Sequence, residues 1–171
     1  MNTEELVRRA RKGDGEAFYE LIAAYKQQLY QIAFSYVKNE SDALEAIQEV
    51  TYLAFKSCKK LKEPKYFKTW LIRILINHCS DELKQKKRMV VQFSEPVNQI
   101  EEHSQMKLEL EEEIAKLRAE YQHVIILRYF QELPISEIAN ILKRPEGTIK
   151  TWIHQALKQL KVQMKVGDLD G

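Results

Sequence analysis

Glycine and proline are scarce, five and four among 171 residues, and runs alternating between apolar and polar residues are almost absent. A chain with so few turn formers and no period-two pattern has little material for sheets, so the expected fold is all-α. Cysteine occurs twice, at Cys58 and Cys79, too few and too far apart in sequence for a metal site. Both read as small buried or half-buried thiols rather than a disulfide, since nothing in the chain looks secretory. No apolar run approaches the roughly 20 residues that span a bilayer, and the N-terminus MNTEELVRRARKGD is charged from its start, which points to a cytoplasmic protein. Also missing are a glycine-rich phosphate loop, an H-E-x-x-H helix and any compact nucleophile motif. The four histidines, His78, His103, His123 and His154, are scattered. The expectation is a protein that is not an enzyme and has no metal, cofactor or small-molecule substrate.

What the chain does have is charge, unevenly spread. The net charge is +2, yet residues 1–88 hold seventeen basic and twelve acidic side chains, 89–120 three and eight, and 121–171 seven and five. Two basic blocks flank an acidic connector, the layout of a two-module polyanion binder whose joint does not itself hug phosphate. At this length each block is large enough for a modest core.

Helical periodicity runs through both blocks. Thr3-Glu4-Glu5-Leu6 reads as a helix start capped by Thr3, and Gly13-Asp14-Gly15 as its end. Glu16–Val37 carries Phe18, Leu21, Ile22, Tyr25, Leu29, Ile32, Ala33 and Tyr36 on one face. After the turn at Asn39–Asp42, the helix Ala43–Leu61 is expected to turn Ala43, Ala46, Ile47, Val50, Leu53, Ala54 and Phe55 inward. Its outer side begins with Asp42, Glu45, Gln48 and Glu49 and becomes basic at Lys56, Lys59, Lys60 and Lys62. The helix dipole accounts for those charges, but not for Gln48 and Glu49 side by side in mid-helix. Lys62-Glu63-Pro64-Lys65 then breaks the chain. In Tyr66–Arg88 an apolar face that includes Phe67, Trp70, Leu71 and Leu75 lies beside a stripe of Arg73, Asn77, Lys84 and Arg88 about 60° wide. Such a stripe is either a solvated face or a nucleic-acid contact, with Arg and Lys for phosphate and Asn for a base edge. Trp70 invites the role of a wedge between base pairs, but its place on the apolar face makes it a core residue.

Met89–Leu108, acidic and holding Ser94 and Pro96 without a sustained period, reads as an extended linker. An amphipathic helix over Leu108–Ala119 and a largely buried one over Tyr121–Tyr129 follow. The most distinctive stretch is Leu133–Leu160. Ile135, Ile138, Ala139, Ile141 and Leu142 give a short helix, which Lys143-Arg144-Pro145-Glu146-Gly147 interrupts, with Gly147 suited to the turn. A second helix buries Ile149, Ile153, Ala156, Leu157 and Leu160 and turns Lys150, Thr151, His154, Gln155 and Lys158 outward. This pattern is a helix-turn-helix, whose second helix can enter a DNA major groove.

Three motifs, in order, carry a family likeness. Asp42-Ala43-Leu44-Glu45-Ala46-Ile47-Gln48-Glu49 resembles the D-A-x-D-x-x-Q-E signature of bacterial sigma factors. Phe67-Lys68-Thr69-Trp70-Leu71-Ile72-Arg73-Ile74-Leu75-Ile76-Asn77 is similar to their F-x-x-W-L-x-x-I-x-x-N helix, and Glu146-Gly147-Thr148-Ile149-Lys150-Thr151 to the x-G-T-V-K-S start of their second promoter-reading helix. Over nearly its whole length the chain resembles the extracytoplasmic-function group of that family.

The resemblance implies two small helical domains: a sigma-2-type bundle over 1–90 and a sigma-4-type helix-turn-helix over 108–171, joined by a linker over 91–107. It implies that Asp42, Glu45, Gln48 and Glu49 dock on the clamp helices of core RNA polymerase, which would give the paired Gln48-Glu49 a purpose. Lys62, Lys65, Arg73, Asn77, Lys84 and Arg88 would capture the unpaired strand of the −10 promoter element, Asn77 contacting a flipped-out base. Thr148, Lys150, Thr151, Trp152, His154, Gln155 and Lys158 would read the −35 element in duplex promoter DNA, and the same module would touch the polymerase flap. Trp152 and Gln155 stand where the family often has arginine. Gln155 can pair with adenine instead, so the expected upstream element is A-rich, such as AAC. A membrane-tethered anti-sigma factor, releasing this chain under stress, is a further implied partner. The competing reading is a stand-alone helix-turn-helix regulator, which uses Leu133–Leu160 but leaves Asp42–Glu49 and the Asn77 stripe idle.

Overall fold

The computed structural model describes residues 2–92 and 105–170, all helical or in short connections, with no strand among them. The central part of the expected linker, 93–104, lies outside the described residues. The helices are α1 (Thr3–Arg11), α2 (Gly15–Val37), α3 (Glu40–Ser57), α4 (Phe67–Gln92), α5 (Gln105–Ala115), α6 (Ala119–Ile125), α7 (Ile135–Leu142) and α8 (Glu146–Asp170). Helix therefore continues to Gln92 and resumes at Gln105, inside the stretch expected to be extended. The chain forms two compact units, the first taking in residues up to Gln85 together with Asn140–Leu142 and the second 86–139 with 143–171.

Side chains set the helix boundaries of the first unit. Asn2, not Thr3, caps α1: its Oδ1 accepts the Glu5 N–H at 2.8 Å, and Thr3 is already inside the helix. Gly13 takes a left-handed φ of 99°, freeing the chain to turn, and Asp14 then caps α2 by accepting from the N–H groups of Glu16 and Ala17. The same carboxylate pairs with the Arg9 guanidinium at 2.6 Å, so one residue ends one helix, starts the next and ties the two together. Asn39 caps α3, its Oδ1 accepting from the Asp42 N–H at 2.8 Å. α3 stops at Ser57, short of the expected Leu61, because the chain tightens into a single 3-10 turn over Cys58–Lys60.

α2 and α3 pack against each other through small residues. Ala33, Ala43, Ala46 and Ala54 are fully buried, which lets the backbones approach closely. Phe67, at the start of α4, is the aromatic hub, with the rings of Trp70, Tyr25 and Phe18 at 5.7, 6.2 and 6.4 Å. Trp70 is half-buried on this hub, consistent with the core reading. Leu53 and Phe55, expected inward, are 39% and 41% exposed. They lie on the two flanks of the stripe that the alanines and Val50 bury, and Phe55 sets its ring edge against Phe18.

In the second unit α6, α7 and α8 bury Val124, Ile125, Ile138, Ile149, Ala156 and Leu160. At Ile126 the continuation of α6 widens into a π turn through Phe130. That turn leaves Tyr129 and Phe130 exposed, so the helix expected to be largely buried to Tyr129 is buried only through Leu127. Leu157 is also exposed, on the rim of the buried stripe of α8. The residue that ends α7 in a left-handed conformation is Lys143, at φ 54°, and not a glycine; Gly147 sits in the first turn of α8. Cys58 and Cys79 are buried free thiols, and burial pushes the Cys79 thiol up to about 12.

These helix ends make two expectations about stability. The Asp14 carboxyl is held below its usual 3.8 chiefly by the Ala17 N–H and then by Arg9. A depressed folded value means that its contribution is present above 3.8 and is lost as pH falls through the folded value. Asp14→Ala should lower the thermal midpoint at neutral pH, and its gap to wild type should close in melts taken progressively below pH 3.8. A gap independent of pH would show that the carboxylate charge is not what matters. Lys143 occupies a conformation that costs a non-glycine residue about 1 kcal/mol, so Lys143→Gly should raise stability by about that amount in urea titration.

Candidate functional site

On α3 the buried alanines fix which side faces out. Glu45, Gln48 and Glu49 are exposed there, while Asp42 is half-buried. Asp42 is already engaged within the fold, where Asn39 Nδ2 donates to its carboxylate at 2.7 Å, reciprocating the Asn39 cap. Two apolar residues share this outer face, Leu44 at 45% and Tyr52 at 60% exposure, spaced four apart on either side of Gln48. They were not among the site residues expected from sequence. Their signal was present as apolar residues on the polar side of an amphipathic helix. Lys56 lies 5.0 Å from the centroid of the Tyr52 ring.

The connection between α3 and α4 exposes Lys62 and Lys65, with Leu61 buried beneath. Lys65 Nζ stands 5.1 Å from the Tyr66 ring, which is itself exposed. Tyr66 closes the loop Leu61–Tyr66, which the resemblance implies takes part in −10 capture, but was not itself among the expected contacts. Along α4, Asn77, Lys84 and Arg88 are exposed and Arg73 is half-buried, so the stripe is open at three of its four positions.

The turn between α7 and α8 is closed by backbone bonds: the N–H groups of Lys143 and Arg144 both reach the Ala139 carbonyl. Burial of Ile149, Ala156 and Leu160 then turns Lys150, Thr151, His154, Gln155 and Lys158 outward on an arc of about 140°. Thr148 and Trp152 are half-buried, at the margins of that arc. Thr151 Oγ donates to the Gly147 carbonyl at 3.0 Å. Gln155 Oε1 accepts from the Tyr121 hydroxyl, which takes one of that oxygen's two lone pairs. Among the described residues no group of His, Cys, Asp or Glu is placed to hold a metal ion, and no helix is long and apolar enough to cross a membrane.

Comparison with known proteins draws these surfaces together. Residues 21–89, which span the α3 face and most of α4, match the family model for sigma-70 region 2, and residues 107–160, which include the helix-turn-helix, match sigma-70 region 4. The RNA polymerase sigma factor SigV of Bacillus subtilis (strain 168) is 34% identical over 151 residues, covering 86% of this chain and 91% of its own. The ECF RNA polymerase sigma factor SigW of the same organism is 30% identical over 183 residues, covering 96% and 98%. The fold is similar to that of CnrH, solved in complex with the cytosolic domain of CnrY (TM-score 0.67, 22% identity, covering 96% of this chain and 97% of that one). It is also similar to the sigma factor RpoE of Bartonella quintana, solved with the anti-sigma factor NepR (TM-score 0.60, 21% identity, covering 87% and 97%). With both region models matched in order and relatives aligned over most of their length, the chain belongs to the extracytoplasmic-function RNA polymerase sigma factors, non-catalytic proteins that direct transcription initiation.

Proposed function

We propose that the two units divide the work of promoter recognition by a polymerase-bound factor. Residues 1–90 act as a sigma-2-type module that docks on core RNA polymerase and captures the melted −10 element. Residues 108–171 act as a sigma-4-type module that reads the −35 element and touches the flap, and 91–107 link the two. The observation that carries this reading is the succession of region 2 and region 4 matches in one chain. A stand-alone helix-turn-helix regulator has no use for the first of them, and that reading is not favoured.

Glu45, Gln48 and Glu49 meet the clamp helices, with Leu44 and Tyr52 adding apolar contact at the same surface. Asp42 contributes mainly by fixing the start of that helix. In the −10 element Asn77 takes an unstacked base, while Lys62, Lys65, Lys84 and Arg88 hold the backbone, Arg73 lies along the stripe and Tyr66 offers a stacking face. In the −35 element Lys150, Thr151, His154, Gln155 and Lys158 face the groove, with Thr148 and Trp152 at its margins. A protein that covers these surfaces is the natural means of holding the factor idle, and the two similar structures described above were each solved with a protein partner. We assign this chain an anti-sigma factor of its own, membrane-tethered and released under stress. Once free, the sigma factor acts in the cytoplasm, on the polymerase and promoter DNA.

Run-off transcription from a genomic library, with core polymerase plus and minus this chain, tests the proposal: new start sites should appear only with the chain present. Asn77→Ala should reduce promoter opening, read by permanganate reactivity of unpaired thymines, by roughly tenfold while leaving core binding intact. Unchanged melting would remove Asn77 from the base contact. Glu49→Lys should do the reverse. It should weaken binding to core polymerase by at least about tenfold in a competition assay, since it places like charge against a basic partner.

A further inference from the structure

Tyr121, on α6, donates its hydroxyl hydrogen to Oε1 of Gln155, which joins the surface of α6 to the outward arc of α8. The Arg118 guanidinium lies over the ring of that tyrosine, its carbon 4.2 Å from the ring centroid. Through these two contacts it stands no more than about 10 Å from the Gln155 amide oxygen, less than the roughly 12 Å width of a DNA major groove. Arg118 immediately precedes α6, on extended backbone, and its side chain is 56% exposed. The Glu120 carboxylate is 3.6 Å from its Nε, but that group is itself 50% exposed, and an ion pair in such a setting yields to another anion at little cost. Stacking occupies the flat face of the guanidinium and leaves its N–H edge to donate.

We infer that Arg118 binds a DNA backbone phosphate at the edge of the groove that α8 enters, an inference that rests on reading α8 as the helix that enters the −35 element. A helix lying in the major groove is flanked on both sides by phosphates. A cation beside that helix, closer than the groove is wide, meets the backbone and not the base edges. Its contact therefore adds affinity and fixes how α8 sits, but carries no sequence information of its own. The outward arc of α8 has two lysines among its five residues, Lys150 and Lys158, so one further cation is a large addition to the phosphate contacts of this surface. Tyr121 makes the contact efficient. Its ring holds the guanidinium plane in place and its hydroxyl ties that ring to α8, so less side-chain freedom is lost when the phosphate arrives.

The test uses holoenzyme reconstituted from core polymerase and the full chain, bound to promoter duplexes whose upstream phosphates are replaced one at a time by uncharged methylphosphonates. Arg118→Gln should weaken binding to unmodified promoter by about tenfold, the worth of one hydrogen bond to a charged group. It should also abolish the penalty that wild type shows at one particular phosphate, and leave the penalties at the others. The slope of log affinity against log salt should become shallower by about 0.9, and Arg118→Lys, which restores the cation, should restore it. Base preferences in a library randomised across the upstream element should not move. A merely structural role for Arg118 would weaken binding without erasing any single phosphate or changing the salt slope, and that result overturns the inference. So does an unaltered phosphate profile and slope in Arg118→Gln when Lys150→Ala loses a phosphate of its own, which leaves α8 as the reading helix. If neither substitution changes the profile anywhere upstream, the assignment of α8 to that element falls with it.

Discussion

A helix in a small domain can bury one stripe, and burying it fixes the rotation of everything else on that helix. Here that constraint determines which side chains of α3 and α8 face outward. The alanines and Val50 of α3 sink against α2, which obliges Glu45, Gln48 and Glu49 to face out. Ile149, Ala156 and Leu160 do the same for α8 and present Lys150, Thr151, His154, Gln155 and Lys158 on the far side. Neither surface is arranged by loops. Each is the remainder left when a core is satisfied, which is why substitutions there should alter binding far more than folding.

The cores are fastened at the helix ends. Asp14 closes α1 onto α2, Asn39 starts α3 and ties Asp42, and the Phe67 aromatic hub sets where α4 begins. In the second unit the left-handed Lys143 gives the sharp corner between α7 and α8 without a glycine. A cationic residue at a helix C-terminus also suits the negative end of the dipole. Lys38, ending α2 at φ 64°, repeats the device.

Most of this was legible because helical burial writes itself into sequence at three-and-four spacing. Phe18 to Tyr36, Ala43 to Ala54 and Ile149 to Leu160 all reveal their inward faces that way. What escaped is what periodicity does not encode. Leu53, Phe55 and Leu157 sit at the rims of their stripes, where an apolar letter does not say whether a neighbour covers it. The π turn at Ile126–Phe130 adds to the helical repeat with no residue type that announces it. Gly147 looked like the turn residue because glycine tolerates positive φ, yet the left-handed position fell on a lysine. The Tyr121–Gln155 bond joins residues far apart in the chain, and no local pattern predicts it. The proposed roles of the polar residues rest on three motifs in order, since a stripe such as Arg73, Asn77, Lys84 and Arg88 is equally a solvated face.

In the proposed division of labour, the face left over on α4 and the face left over on α8 engage a single promoter at different places and in different states of the DNA. Photo-crosslinking from a probe amino acid at position 77 and, separately, at position 155 in the same holoenzyme–promoter complex measures this directly. Position 155 should mark upstream duplex before and after melting, while position 77 should mark the non-template strand only once it is unpaired. Crosslinks from both positions to one segment, or from position 77 to intact duplex, would contradict it.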